Sequence, residues 1–249
     1  MIVQKNTKYL KFPFQFSEEK LVRDLSLILD KNWIPHFNTE GYHGDWKVIS
    51  LYAHNGEESN IYALPTSQST ISETRILKEC HYFKEVIDSF KCPILTARIL
   101  RLGAGAEIKP HRDHDLGYED GNFRLHIPIV TNSGVRFVLD GTELTMLPGE
   151  CWYTNVNYVH SVINSGKSDR VHLVIDGERN EWSDQLFFSS VPKESFKPIP
   201  KKNDSSETIR RIIEELKRSN EPAAKKLINE LSQKLTKLNE NTTTCIKHS

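Results

Sequence analysis

The residues best equipped for chemistry lie in one stretch, KPHRDHDLGYEDGNFRLHIPIV, residues 109–130. Its 22 positions hold three histidines and four acidic residues before becoming an apolar, strand-like run. Seven of them could ligate a metal: His111, Asp113, His114, Asp115, Glu119, Asp120 and His126. Strand geometry sorts them, because alternate residues share a face: His111 and Asp113 project together while Arg112 turns away. An imidazole and a carboxylate on one strand face can hold one metal, and the third ligand must come from elsewhere. His160, in NYVHSV, is the candidate. Two histidines and one carboxylate leave three coordination positions open, a set that favours non-haem Fe(II). A His-x-Asp pair alone is weak, since it is more often an exposed loop pair.

Other polar residues add weight by their spacing. Arg170 lies ten residues after His160, in DRVHLVID, with the same parity as His172. On an edge strand it would sit in solvent. Facing inward it needs an anion, and a carboxylate is the natural partner for a guanidinium. In FRLHIPIV, Arg124 and His126 share one face, with Leu125 and Ile127 on the other. These two are either outward polar residues on a half-buried strand or part of a polar interior. Three such pairs on successive strands would give a barrel a cationic lumen suited to a dicarboxylate.

Such convergence requires a particular fold. Residues 94–177 hold eight short strand-like runs: ILTARILRL, EIKPHRD, FRLHIPIV, VRFVL, ELTML, ECWYTN, HSVIN and RVHLVID. Turn signals such as GAGA, EDGN, TNSG, DGT and NSGKSD separate them. Regular short strands of this kind predict a sandwich or barrel rather than βαβ units. Eight strands suit a jelly roll, in which strands two and seven are neighbours, so His160 can meet His111 and Asp113. The expected fold is mainly β with flanking helices: a double-stranded β-helix, cupin-like core plus a C-terminal helical extension. Its expected parts are residues 1–93, helices and a β-extension packed on the core; 94–190, the jelly-roll core; and 191–249, a linker, C-terminal helices and a disordered tail.

Ser17 is a plausible N-cap for a helix over residues 17–31 whose apolar face is Leu21, Leu25, Ile28 and Leu29. A second helix is expected within residues 72–90, ended by Pro93. After the Pro- and Lys-bearing VPKESFKPIPKKNDSS, Ser206 should cap a helix with Ile209, Ile212, Ile213 and Leu216 on one face. Leu227, Leu231, Leu235 and Leu238 repeat the helical period. These helices are free to cover the barrel, pair two copies into a homodimer or border the substrate. Trp33, His36, Tyr42, His43 and Trp46 form an aromatic-rich cluster, either a substrate-side lid or ordinary packing.

Lys+Arg and Asp+Glu both number 33, so a nucleic-acid or membrane-surface partner is not expected. No run approaches a membrane span. Four cysteines without a CxxC pair fit reduced thiols and a cytoplasmic location.

The succession PHRD, RLHIPI, GECWYTNVNYVHSVINSG and RVHLVID resembles the aspartyl/asparaginyl β-hydroxylase family of Fe(II)- and 2-oxoglutarate-dependent dioxygenases, whose bacterial members include proline hydroxylases. The likeness covers about residues 96–178 and extends to WIPHFNTEGYHGDW. It implies that His111, Asp113 and His160 ligate Fe(II) and that Arg170 binds the distal carboxylate of 2-oxoglutarate. Arg124 and His126 would lie near the cosubstrate's other end or the substrate. The implied activity uses O2 to hydroxylate an unactivated C–H of an amino acid or amino-acid residue (Asp-, Asn- or Pro-like), releasing succinate and CO2. The alternatives are a cupin-like metal protein of another reaction type, such as an isomerase, or a non-enzymatic adaptor. The chain departs from the animal, protein-hydroxylating members in two ways. It keeps Asp113 where they have glycine, and it has Leu100 where they place a serine beside the distal carboxylate. Thr96 or Tyr153 is the candidate replacement hydroxyl. The intervening DLGYEDGN would shape the substrate pocket.

Overall fold

The computed structural model describes residues 6–31, 33–62, 70–113, 115–197, 206–218, 224–225, 227–233 and 235–236. The chain runs β1 (Tyr9–Gln15), α1 (Glu18–Ser26), β2 (Ile34–Pro35), β3 (Tyr42–His43), β4 (Trp46–His54), β5 (Ile71–Glu73), α2 (Arg75–Glu79) and α3 (His81–Asp88). The barrel strands follow: β6 (Ile94–Leu102), β7 (Glu107–His111), β8 (Asn122–Val130), β9 (Val135–Leu139), β10 (Thr142–Leu144), β11 (Glu150–Thr154), β12 (His160–Asn164) and β13 (Arg170–Glu178). Helices α4 (Glu181–Ser190) and α5 (Ser206–Leu216) come last.

The eight strands from β6 to β13 divide between two facing sheets. The larger sheet runs β1-β11-β8-β13-β6-β4-β2, with β5 on β4, and the smaller runs β10-β9-β12-β7-β3. Within this order β11, β8, β13 and β6 face β10, β9, β12 and β7, the strand order of an eight-stranded jelly roll. These strands pair antiparallel within each sheet. The second and seventh barrel strands are neighbours as expected, with His160 directly opposite His111.

Alternation along β13 sets the two faces of the larger sheet. Val171, Leu173 and Ile175 join Leu21, Leu25, Leu77, Phe83 and Val86 of α1–α3, and Ile28 just after α1, in the main core. Arg170, His172, Val174 and Asp176 point the other way, into the barrel. Burying a leucine or isoleucine on the helix side stabilises by roughly 1.5–3 kcal/mol per side chain. That face therefore fixes the register, and the register fixes which residues enter the lumen.

Local differences from expectation have identifiable causes. Ser17 caps α1 by accepting from the Lys20 N–H at 3.3 Å. The helix ends at Ser26, however, and Leu29 is 52% exposed rather than on the buried face. The helical run in residues 72–90 breaks into α2 and α3 at Cys80, where Asp24 of α1 accepts from the Tyr82 and Phe83 N–H groups and starts the second helix. Strand β1 was not apparent in YLKFPFQ, because proline and lysine interrupt its pattern; it pairs with β11 at the sheet edge. Helix α4 also lacked a clear apolar stripe. On α5, Ile209, Ile213 and Leu216 are buried as expected, and Ile212 partly so. Leu238 and the C-terminal tail lie outside the described residues, as do Cys245 and the linker after residue 197. No described helix is long and apolar enough to cross a membrane.

Candidate metal centre

The ligand atoms of His111, Asp113 and His160 all lie within 4.8 Å of one another. His111 closes β7 and His160 opens β12, and their rings approach to 4.2 Å between centroids. Asp113 lies just beyond β7, held there by its N–H donating to the Val156 carbonyl at 2.9 Å. Each imidazole is oriented by backbone. His111 Nδ1 sits 2.8 Å from the Lys109 carbonyl and His160 Nδ1 3.1 Å from the Tyr158 carbonyl. A carbonyl only accepts, so both Nδ1 atoms carry the proton and both Nε2 lone pairs are free for a metal. Burial is the main cause that lowers the His160 pKa, to about 4, which keeps it in the ligating, neutral form.

Asp113 is held from behind. Arg124 Nη1 donates to Asp113 Oδ2, leaving Oδ1, 3.7 Å from His111 Nε2, on the metal side. Burial alone would raise the Asp113 pKa, but Arg124 and the two imidazoles outweigh it and hold it well below the usual carboxylate range. Arg124 also grips Asp176 with two parallel bonds, Nε to Oδ1 at 2.7 Å and Nη2 to Oδ2 at 3.0 Å. Arg98 Nη2 at 2.9 Å and Thr96 Oγ1 at 3.0 Å donate to the same Asp176 carboxylate, which is fully buried. Arg124, expected beside the cosubstrate or substrate, thus has all three guanidinium nitrogens on protein carboxylates.

Arg170 has a different environment. It is 2% exposed, and its one hydrogen bond runs from Nη2 to His172 Nδ1 at 2.9 Å. Its Nε is buried without a partner, and no carboxylate pairs with it among the described residues. Burial lowers its pKa to about 9. His126 is 5% exposed with both ring nitrogens unpartnered. Burial first, then the nearby arginines, hold His126 and His172 well below the ordinary imidazole pKa. Buried polar groups in native proteins are nearly always satisfied, and a buried lone arginine costs several kcal/mol. This cluster of donors therefore fits a bound carboxylate.

The remaining candidates separate. Thr96 donates to Asp176, while the Tyr153 hydroxyl accepts from the Tyr118 N–H within the helix-side core, so neither meets Arg170. Glu119 and Asp120 accept from Asn155 and Asn157, and Asp115 is exposed. His114 lies outside the described residues. In the aromatic cluster, His36 stacks on Trp46 at 3.5 Å and Tyr42 meets Trp46 edge-on at 5.5 Å. Trp33 instead lies under Arg101, and His43 is exposed. Sequence reasoning passed over Asp176, although it shares the period-two face of Arg170 and His172.

The jelly roll with two histidines and a carboxylate at one mouth defines a metal-binding barrel of the facial-triad type. A sequence model of the family described as aspartyl/asparaginyl beta-hydroxylase matches residues 15–180, and the chain belongs to that family. It is 26% identical over 174 residues to an L-proline cis-4-hydroxylase of Rhizobium meliloti (strain 1021), covering 69% of this chain and 61% of that protein. It is 28% identical over 166 residues to an L-proline cis-3-hydroxylase of Streptomyces sp, covering 65% and 57%. The chain thus spans about three-fifths of the length of these curated relatives. A crystal structure of a 2OG-Fe(II) oxygenase family oxidoreductase from Burkholderia pseudomallei aligns with a TM-score of 0.47 at 16% identity, covering 70% of this chain and 86% of that one.

Proposed function

We propose that the protein is an Fe(II)- and 2-oxoglutarate-dependent hydroxylase of a small, proline-like amino acid. The observation that carries this reading is Arg170, buried in the barrel whose mouth bears the triad and without a counter-charge among the described residues. The identity of the curated relatives points the same way. His111, Asp113 and His160 would hold the iron, which with O2 and 2-oxoglutarate supplies the oxidation of an unactivated C–H, so that R–H becomes R–OH as succinate and CO2 form.

The chain's own contribution is positioning and exclusion of water. Arg170 anchors the distal carboxylate of 2-oxoglutarate, and His172, accepting at Nδ1, orients the guanidinium. That contact places the His172 proton on Nε2. His126, neutral and unpartnered, offers one donor and one acceptor to the cosubstrate or substrate. Arg124 and Asp176 act through Asp113, orienting it so that one carboxylate oxygen faces the metal. Such outer partners set ligand geometry before the substrate arrives, and near-attack positioning supplies much of the selectivity.

The test is succinate release under aerobic, iron-loaded conditions across free amino acids and short peptides, with product mass read in parallel. The reading predicts succinate together with a product heavier by one oxygen, both lost in His111→Ala. Iron binding with no 2-oxoglutarate turnover on any member of the panel would favour a cupin-like enzyme of another class.

A further inference from the structure

The C-terminal helices cover part of the same barrel face that bears the site. On β13, Val174 lies between His172 and Asp176 on the lumen face. Its cross-strand neighbours are Arg98 on β6 and His126 on β8. Leu100, also on this face, is opposite His172 on one side and Val48 on the other. Val48, Leu100 and Val174 therefore form an apolar patch set among the site's polar residues. The smaller sheet covers the Trp46 and Leu102 end of the lumen. The Val48, Leu100 and Val174 patch is packed instead by Ile61, Tyr62, Leu216, Ala224 and Leu227.

This cover is tied to the mouth of the barrel by other contacts. Arg218, just after α5, forms an ion pair with Glu40. Glu40 lies in the loop between His36, stacked on Trp46, and Tyr42. Phe37 of that loop meets Tyr62 with ring centroids 5.0 Å apart. Arg98, besides its bond to Asp176, donates to the Ile61 carbonyl at 3.3 Å. Leu216 and Leu227 thus belong to one layer with the loop at residues 36–42 and with Arg98. Helix α5 lies beyond residue 180, where the match to the family ends.

We infer that this C-terminal layer is the selectivity wall of the site, with Leu216 and Leu227 setting the size of the apolar substrate portion it accepts. The inference rests on the hydroxylase reading and deepens it. The barrel supplies groups for metal and cosubstrate, while a segment outside the family's shared region covers the adjoining apolar patch. A substrate here meets donors at Arg98 and His126 and hydrocarbon at Leu100, behind which the fully buried Val174 is backed by Leu216 and Leu227. That division suits a small amino acid with an apolar ring or chain, and a shortened wall should admit a larger one.

The test compares Leu216→Ala and Leu227→Ala with Ile209→Ala in the full-length, iron-loaded protein. Ile209 is buried on α5 but does not belong to the layer over Val174, so its variant reports general loosening of the helix. Leu216→Ala and Leu227→Ala should shift the kcat/KM ratio of larger over smaller amino acids by about 10-fold, the scale of one or two methylenes in an apolar pocket. The KM for 2-oxoglutarate should stay within about 2-fold, because Arg170 is untouched. Should either core variant fold poorly, Arg218→Glu, an exposed change that sets like charges against each other, provides the second arm. It should raise the succinate formed per hydroxylated product, and substrate should add less hydrogen-exchange protection to α5 than it does in the native chain. Selectivity identical to that of Ile209→Ala, with unaltered coupling in Arg218→Glu, would overturn the wall and leave the hydroxylase reading standing. Absence of succinate from the unmodified protein with every amino acid would overturn both.

Discussion

Two arginines enter the same barrel and meet opposite surroundings. Arg124 reaches two carboxylates, Asp113 and Asp176, and the latter is shared with Arg98 and Thr96. Arg170, as deeply buried, has only an imidazole among the described residues. The first arrangement is a complete ion network made by the protein itself. The second lacks a counter-charge, and desolvating a guanidinium without one is strongly unfavourable. On the proposed reading the contrast separates structure from recognition: one end of the lumen orients Asp113 of the triad, while the other offers unpaired donors to an anion.

The sharpest break in this comparison is Asp176→Asn. Removing one partner of a buried network leaves charges uncompensated, so thermal or urea denaturation should show a loss of about 3–5 kcal/mol. Iron affinity in anaerobic titration should fall about 10–100-fold, as expected for an outer partner of a metal ligand. Arg170→Met should behave oppositely in the metal-free protein. Exchanging a lone buried arginine for an apolar side chain should be neutral or stabilise by up to about 4 kcal/mol. A large destabilisation there would mean that Arg170 is already satisfied, erasing the contrast.

A smaller effect comes from ligand linkage. With anaerobic iron present, 2-oxoglutarate at about 100 times its Kd should stabilise the native chain by about 2.7 kcal/mol, and the Arg170→Met chain by far less. The smallest effect per group is from pH. Burial first, with nearby arginines, lowers the pKa values of His36, His126 and His172 well below 6.5. Below about pH 6.5 the unfolded chain then binds protons that the folded chain does not, so metal-free stability is present above that pH and lost as pH falls. The expected slope is about 1 kcal/mol per histidine per pH unit. Melting curves between pH 7 and pH 5 check it, and a flat profile would show that these imidazoles are not held neutral.

Much of the site was readable because strands alternate. Arg170 with His172 followed from parity and the jelly-roll order brought His160 to His111, whereas Asp113, expected on the same strand face, lies beyond the end of β7 and is placed by its bond to Val156. What parity alone does not give is partnership. Arg124 and Arg170 look alike in sequence, and only the cross-strand register sets Asp176 opposite Arg124. Thr96 was a candidate for the cosubstrate, yet the register places Asp176 opposite it on β6 as well. The same limit applies to the C-terminal helix. Its apolar stripe showed that it packs on something, while the surface it meets depends on long-range contacts with Leu100 and Val174. Edge strand β1 and helix α4 were missed because neither carries a clean period.

The most direct test is a calorimetric titration of 2-oxoglutarate into the anaerobic, iron-loaded native chain, Arg170→Met and Arg124→Lys. The contrast between the two arginines predicts binding to the native chain, loss of at least about 100-fold in Arg170→Met, and a much smaller loss in Arg124→Lys once its weaker iron binding is saturated. Unchanged affinity in Arg170→Met, or a loss confined to Arg124→Lys, would contradict it.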